Sequence, residues 1–305
     1  MSILIDKNTP IVVSGPGSPM VLNQCREMLA RGTKLVGVVG LDTSKYDDLR
    51  HLETTFSAAV ASSRAEAAVF FDDPFDIKAS VLDAINAGLK TLVCLTEFVP
   101  VHDALALRAA ATEAGALLIG PNSSGVLSPG RAKAGYFSDE ICLPGNVGII
   151  TKGGSIAYGV ISEMKAMGLG VSTIVSVGPD MVKGADYAAL LSMFEADNET
   201  GSVLLLGEIG GRDEEAAAEL IANSITKRVV VHVAGKYVKD ARQIGHAGAI
   251  VRNGVGGYAE KVDALKAAGA IIAHDFKDIV PILLEASANN GGPQTEPRPS
   301  REAAR

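Results

Sequence analysis

The chain has 305 residues, enough for two domains of about 150 residues each, and its 28 Lys plus Arg against 35 Asp plus Glu give a net charge of −7. That acidic balance argues against a nucleic-acid binder, which needs a basic face, and aromatics at 5% without Trp disfavour a base-stacking platform. Hydrophobic residues at 47% supply a core and exclude wholesale disorder.

Short apolar runs alternate with helically spaced segments almost from end to end. Strands are predicted at Ile11–Val13, Leu35–Val39, Ala67–Phe71, Thr91–Leu95 and Leu117–Ile119, then at Val147–Ile150, Ser172–Val177, Val203–Leu206, Val229–Val233 and Ile271–Ala273. Helices are predicted at Ile77–Ala87, His102–Ala114, Ile156–Met167, Ala185–Phe194, Glu214–Ala222 and Ala259–Ala268. Most strands are unbroken Val/Ile/Leu stretches, as when helices cover both faces of a parallel sheet. The fold class is therefore α/β, with two open parallel sheets in succession. Periodicity lapses where Pro and Gly cluster, which places a linker at 128–146 between domains at 1–127 and 147–288. Residues 289–305, rich in Pro, Asn and Gly, read as a disordered tail.

Cys25, Cys94 and Cys142 are widely spaced, with no CxxC pair, so neither a disulfide framework nor a zinc site is expected, and no other metal site is indicated. The opening residues lack the apolar run of a signal peptide, and no segment approaches membrane-spanning length. The expectation is a soluble cytoplasmic protein that binds neither membrane nor nucleic acid.

Two segments carry chemistry. The first is Ser14-Gly15-Pro16-Gly17-Ser18-Pro19, after the first strand. Ser18 suits a helix N-cap and Pro19 the first helical position, and the free N–H groups there attract a phosphate. A tight turn without ligand explains the segment equally well, because Met20 holds the third glycine position of the dinucleotide fingerprint. Lys34, Lys45 and Arg50 suit a ribose phosphate, whereas Asp42, or Asp72 and Asp73, suit ribose hydroxyls.

The second is Gly245-His246-Ala247-Gly248-Ala249. A neutral imidazole is a good nucleophile near neutral pH, and small neighbours let it approach a phosphoryl group and swing between stations. Glu208 ends an apolar strand and suits holding one ring nitrogen. Lys152-Gly153-Gly154-Ser155 starts a helix and forms a second anion site. A lone histidine is more often a packing residue, and His51, His102, His232 and His274 receive that reading. Three such features at strand ends of one α/β domain favour chemistry at His246.

Over Met1 to about Leu284 the chain resembles the α subunits of succinyl-CoA synthetase and related nucleoside-diphosphate-forming acid–CoA ligases. The resemblance is carried by Gly207-Glu208-Ile209-Gly210-Gly211 and Gly245-His246-Ala247-Gly248-Ala249-Ile250. It is supported by Gly32-Thr33-Lys34, Thr96-Glu97 and Ile119-Gly120-Pro121-Asn122. It implies a Rossmann-like CoA-binding domain followed by a flavodoxin-like domain. His246 would be phosphorylated and oriented by Glu208, with phosphate contacts from Gly153, Gly154 and Ser155. Gly15, Gly17, Ser18, Lys45, Thr96, Glu97 and Asn122 would bind CoA. An ATP-grasp β subunit, in an αβ or α2β2 assembly, would bring ATP or GTP with Mg and part of the site for a small carboxylate, succinate by default.

The departures cluster in the first half. The family's Gly-Phe-Thr-Gly-Ser-Gln loop is Gly15-Pro16-Gly17-Ser18-Pro19-Met20, its Pro-Gly-Lys-Gly-Gly stretch is absent, and Phe98 replaces a turn glycine. In the second half Lys152-Gly153 stands where the family commonly has Arg-Ser. Two other readings compete. A nicotinamide-dependent oxidoreductase would use Gly15–Ser18 and Asp42, and leaves Glu208 and His246 unexplained. A CoA-responsive regulatory scaffold would fit the altered loop, but has no need of both residues.

Overall fold

The structure is a computed structural model and describes residues 2–238, 245–251 and 255–288. The first half runs β1 (Ile11–Ser14), α1 (Pro19–Ala30), β2 (Leu35–Val39), α2 (Phe56–Ser63), β3 (Ala67–Phe70), α3 (Ile77–Asn86), β4 (Thr91–Cys94), α4 (Val101–Glu113) and β5 (Leu117–Ile119). Its strands are all parallel in the order β2-β1-β3-β4-β5. Outside β2 a parallel bridge joins Gly37 to Glu53, with the Val38 N–H 2.7 Å from the Glu53 carbonyl. Counting that bridge as a vestigial strand gives the Rossmann order 3-2-1-4-5-6. The β1–α1 turn lies at its switch point, and Ser18 caps α1, accepting from the Val21 N–H, with Pro19 at the first helical position.

The second half runs β6 (Gly125–Ser128), β7 (Ala132–Gly135), β8 (Pro144–Thr151), α5 (Gly154–Ala166), β9 (Val171–Ser176), α6 (Tyr187–Ala196), β10 (Ser202–Glu208), α7 (Asp213–Ser224), β11 (Arg228–Ala234), α8 (Tyr258–Ala267), β12 (Ile271–Ile272) and α9 (Ile279–Ala288). The sheet order is β12-β11-β10-β8-β9-β6-β7. Its five parallel strands follow the flavodoxin order, with the switch point between β8 and β10. The β6–β7 hairpin extends the sheet antiparallel beside β9. Among the described residues no helix is long and apolar enough to cross a membrane.

Residues 128–146, read from sequence as a linker, are instead part of the second sheet: they hold the end of β6, all of β7 and the start of β8. The hairpin is buried because it docks on the first half. Ser128 donates to the Ile5 carbonyl at 2.8 Å. The Thr33 hydroxyl accepts from the Lys133 N–H at 2.9 Å and donates to its carbonyl at 3.3 Å, and Lys133 reaches Glu27 with its ammonium. Thr33 thereby closes the outer edge of β7, which would otherwise leave unpaired backbone groups. One continuous apolar cluster joins Ile11 and Val69 of the first sheet to Val126, Val175 and Leu205 of the second. The tail expected at 289–305 lies outside the described residues.

Tyr136 and Tyr158 are packing residues, the Tyr158 hydroxyl donating to the Tyr136 carbonyl and the Tyr136 ring meeting Phe71 edge-on. Burial pushes the thiol of Cys25 up to about 11 and those of Cys94 and Cys142 up to about 12, so none is a thiolate at neutral pH.

Thr33→Val removes both bonds to Lys133 while keeping the side-chain shape. It is expected to cost about 1–3 kcal/mol, the price of leaving a buried N–H unpaired. Urea unfolding checks this, with Thr33→Ser, which keeps the hydroxyl, remaining close to wild type.

Candidate functional site at the second switch point

The strands flanking the switch point deliver the site. β8 ends at Thr151 and passes through Lys152 and Gly153 into α5, while β10 ends at Glu208. The His246 loop closes over the gap. Its Nδ1–H donates to Glu208 Oε2 at 2.6 Å, since an ionised carboxylate can only accept. The histidine side chain is 44% exposed and the glutamate 12%, so the ring is open to solvent while the carboxylate that holds it is largely buried.

The other edge of the ring faces Gly153. A Cβ there would lie 2.9 Å from His246 Cε1 and 3.2 Å from Nε2, so the imidazole stands directly over the start of α5. Nε2 thus looks towards the free N–H groups and positive dipole end of a thirteen-residue helix. A cavity of about 50 Å³ remains there, lined by Lys152, Gly153, Ser155, Glu208 and His246 among others. Glu208 Oε1 is buried and makes no hydrogen bond.

The hydrogen bond that His246 donates to Glu208 raises the His246 pKa above its ordinary value. Partial burial opposes the shift, the charges of Glu208 and Asp180 add to it, and the charge of Lys152 opposes it. The pair therefore fixes Nδ1 as the protonated nitrogen of the neutral ring and leaves the Nε2 lone pair free.

Beneath this pair lies a buried ionic cluster. Glu214, fully buried on the first turn of α7, accepts the Glu208 N–H at 3.0 Å on Oε1. The same oxygen lies 3.1 Å from Lys152 Nζ, and Oε2 lies 2.5 Å from Lys261 Nζ. Gly207 permits the approach, since a Cβ there would lie 2.8 Å from Glu214 Oε1. Lys261 also meets Glu215 at 2.9 Å, and Lys183 meets Asp213 at 2.7 Å. Burial works against the Lys152 ammonium, but Glu214, Asp213 and Glu208 outweigh it and hold its pKa above the ordinary value.

The sequence reading missed Glu214 and Lys261. Glu214 stands in the acidic run Asp213-Glu214-Glu215, which reads as a solvated helix start, and its cation comes from a distant helix.

The first-half residues are placed less uniformly. Gly15, Gly17 and Ser18 form the β1–α1 turn, with Gly17 exposed. The Lys45 ammonium lies 3.2 Å from Asp42 Oδ2, and Asp42 Oδ1 also takes the Ser44 hydroxyl at 2.6 Å. Lys34 and Arg50 are exposed. The Thr96 hydroxyl donates to the Asp72 carbonyl at 2.8 Å, while Glu97 is exposed. Asp72 accepts from Ser14 at 3.1 Å and Ser80 at 2.6 Å, and burial raises its pKa against those two bonds. It organises the strand ends.

Asn122 donates to Asp180 Oδ1 at 2.9 Å, joining the two halves. Phe98 keeps the left-handed backbone of a turn glycine, with φ +60°, and is 84% exposed. A cleft of about 450 Å³ lined by Phe98, Val99, Asn122, Asp180 and Met181 runs from the first-half strand ends to His246.

Fold and site together define a class: a Rossmann-like half joined to a flavodoxin-like half that presents a carboxylate-held histidine at its switch point. Residues 144–284 match the succinyl-CoA ligase like flavodoxin domain. The chain is 40% identical over 294 residues to succinate–CoA ligase [ADP-forming] subunit alpha 2 of Archaeoglobus fulgidus, covering 93% of this chain and 99% of that one. It is 35% identical over 281 residues to the malate–CoA ligase subunit alpha of Methylorubrum extorquens, covering 90% and 95%. Among solved structures, ATP citrate lyase of Methanosaeta concilii in complex with (3S)-citryl-CoA has the same fold, with a TM-score of 0.80 at 22% identity over 94% of this chain. This chain spans about half the length of that one, 50%. The chain belongs to the family of succinate–CoA ligase α subunits.

Glu208→Gln removes the carboxylate that raises the His246 pKa. The titration of the ring, followed by NMR at its Cε1 proton, is expected to move to lower pH, and neutral imidazole then persists into more acidic solution.

Proposed function

We propose that this chain is the α subunit of a heteromeric nucleoside-diphosphate-forming acid–CoA ligase, making an acyl-CoA from a small carboxylate through a phosphohistidine at His246. The observation that carries this reading is the histidine held through Nδ1 by Glu208, with Nε2 over the start of α5. A neutral ring so held is a nucleophile at one nitrogen only.

In the proposed sequence, Nε2 attacks the terminal phosphorus of a nucleoside triphosphate. The N–P bond forms as the P–O bond to the departing diphosphate breaks, and Nδ1 keeps its proton, hydrogen-bonded to the Glu208 carboxylate. A carboxylate oxygen of the acid then takes the phosphoryl group, and the electron pair of the N–P bond returns to Nε2. The CoA sulfur, as thiolate, finally attacks the acyl carbon and expels inorganic phosphate.

The chain has no Walker A pattern, so nucleotide, Mg and part of the acid site fall to a partner β subunit of the ATP-grasp type. The names of the relatives as α subunits support such a partner. Glu208 orients the ring, and Gly153, Gly154 and Ser155 offer N–H groups to the phosphoryl oxygens.

The residues of the first half fit CoA at the β1–α1 turn, where Gly15, Gly17 and Ser18 precede the free N–H groups of α1. They also fit it along the cleft from Asn122 to His246, which gives a flexible thiol arm a route to the reacting atoms. Thr96 and Asn122 serve there through the loops that they fix, Glu97 stands at the exposed rim, and Lys45 must leave Asp42 to meet a phosphate. The dicarboxylate substrates named for the relatives make succinate or malate the first acids to test.

His246→Asn, assayed with the β subunit, ATP, Mg, CoA and acid by mass spectrometry of the acyl-CoA formed, is expected to lose at least about 10⁴-fold in turnover. Its melting temperature should stay at the wild-type value, because a half-exposed loop residue carries little packing. Turnover near wild type would overturn the proposal.

A further inference from the structure

We propose that Lys152 is the cation that receives the transferred phosphoryl group beside His246. The inference rests on the phosphohistidine reading and adds a charged partner to the backbone N–H groups of α5.

The requirement is electrostatic. A phosphoryl group on Nε2 brings about two negative charges into a cavity that already holds Glu208, whose Oε1 is buried and unpartnered. The helix end offers about half a positive charge. Among the described residues lining that cavity, Lys152 supplies the one permanently charged cation.

Its placement suits the role. The side chain is 7% exposed, so its charge acts through little water and is weakly screened. Glu214 engages the ammonium at 3.1 Å, while Asp213 stands 3.7 Å away, beyond hydrogen-bond reach. The ammonium also stands 5.8 Å from the centre of the Tyr187 ring; with Glu214 as its hydrogen-bond partner among the described residues, its three donors keep capacity for a phosphoryl oxygen.

Two further cations, Lys261 and Lys183, serve the three neighbouring carboxylates. Lys261 lies 2.5 Å from Glu214 and 2.9 Å from Glu215, and Lys183 lies 2.7 Å from Asp213. Lys261 is thus shared between two carboxylates, and Lys152 completes the charge balance of the cluster while standing on the wall of the histidine cavity.

The same Glu214 oxygen accepts the Glu208 N–H, so one buried carboxylate sets the positions of both the orienting glutamate and the proposed cation. During transfer Lys152 keeps its proton and forms no covalent bond. Its ammonium meets a phosphoryl oxygen as the Nε2–P bond forms and the P–O bond to the diphosphate breaks.

The test uses the full chain with its β subunit, ATP and Mg, and follows acid-labile phosphorylation by intact mass in single turnover. Lys152→Met is expected to slow phosphorylation about 100-fold, the usual loss for one transition-state donor. Lys152→Arg, which restores the charge, should recover to within about ten-fold of wild type. In Lys152→Met the His246 titration should also move to higher pH, because a cation that opposes the imidazolium is gone. A packing role alone would not produce that shift.

Lys152→Gln keeps a donor for Glu214 but not the charge. It should fold, with a urea midpoint below that of wild type because a buried pair has lost its charge, and phosphorylate as slowly as Lys152→Met. Wild-type phosphorylation in folded Lys152→Gln would overturn the role of Lys152 and leave phosphohistidine chemistry standing. Absence of phosphorylation in the wild-type complex would overturn the proposed function and this inference with it.

Discussion

The hydrogen bond from His246 Nδ1 to Glu208, 2.6 Å long, is the interaction around which the second half is arranged. A free imidazole offers two nitrogens in two tautomers. The carboxylate selects the tautomer protonated on Nδ1 and aims Nε2 at the start of α5. The bond also raises the pKa of the ring, so a tighter grip leaves less of the nucleophilic form at a given pH. Lys152 opposes that shift, and the observed balance belongs to both neighbours.

That bond depends on where Glu208 sits, and its position is set from below. β8 and β10 are neighbours that part at the switch point, leaving the gap in which flavodoxin-like sheets bind ligands. Glu214 holds the backbone of Glu208 from beneath, and Lys152 and Lys261 flank Glu214 in its fully buried position. Buried ion clusters contribute little net stability, but removing one member strands the others at a cost of about 3–5 kcal/mol. Such a cluster defines geometry rather than adding strength, and here it lies beneath the His246–Glu208 pair. The two halves meet above it through Asn122 and Asp180, along the cleft that joins the first-half strand ends to His246.

The parallel strands were legible from sequence because they are unbroken Val/Ile/Leu runs; Leu35–Val39 and Leu117–Ile119 coincide with β2 and β5. The β6–β7 hairpin was not. Ala132-Lys133-Ala134-Gly135 carries little strand propensity, and it is held by Thr33, 100 positions away. The short α2, built largely of Ser and Ala, was equally silent. The juxtaposition of His246 and Glu208 was readable because both stand at strand or loop ends among glycines. The cluster below them was not, since Lys261 lies 47 positions from Glu214 and a lysine on a helix ordinarily reads as surface. Lys45, expected from sequence to meet a phosphate, stands beside Asp42, a pairing between i and i+3 of two residues that the sequence presents as alternatives.

In the proposed reaction Glu208 makes Nε2 the reacting atom of His246. The most direct measurement is ¹⁵N–³¹P correlation NMR on the ¹⁵N-labelled chain after phosphorylation by its β subunit with ATP and Mg, kept in mildly alkaline buffer. A single phosphohistidine is expected, with phosphorus on Nε2 and a retained Nδ1 proton. Phosphorus on Nδ1, or a phosphoryl group on another residue, would contradict it.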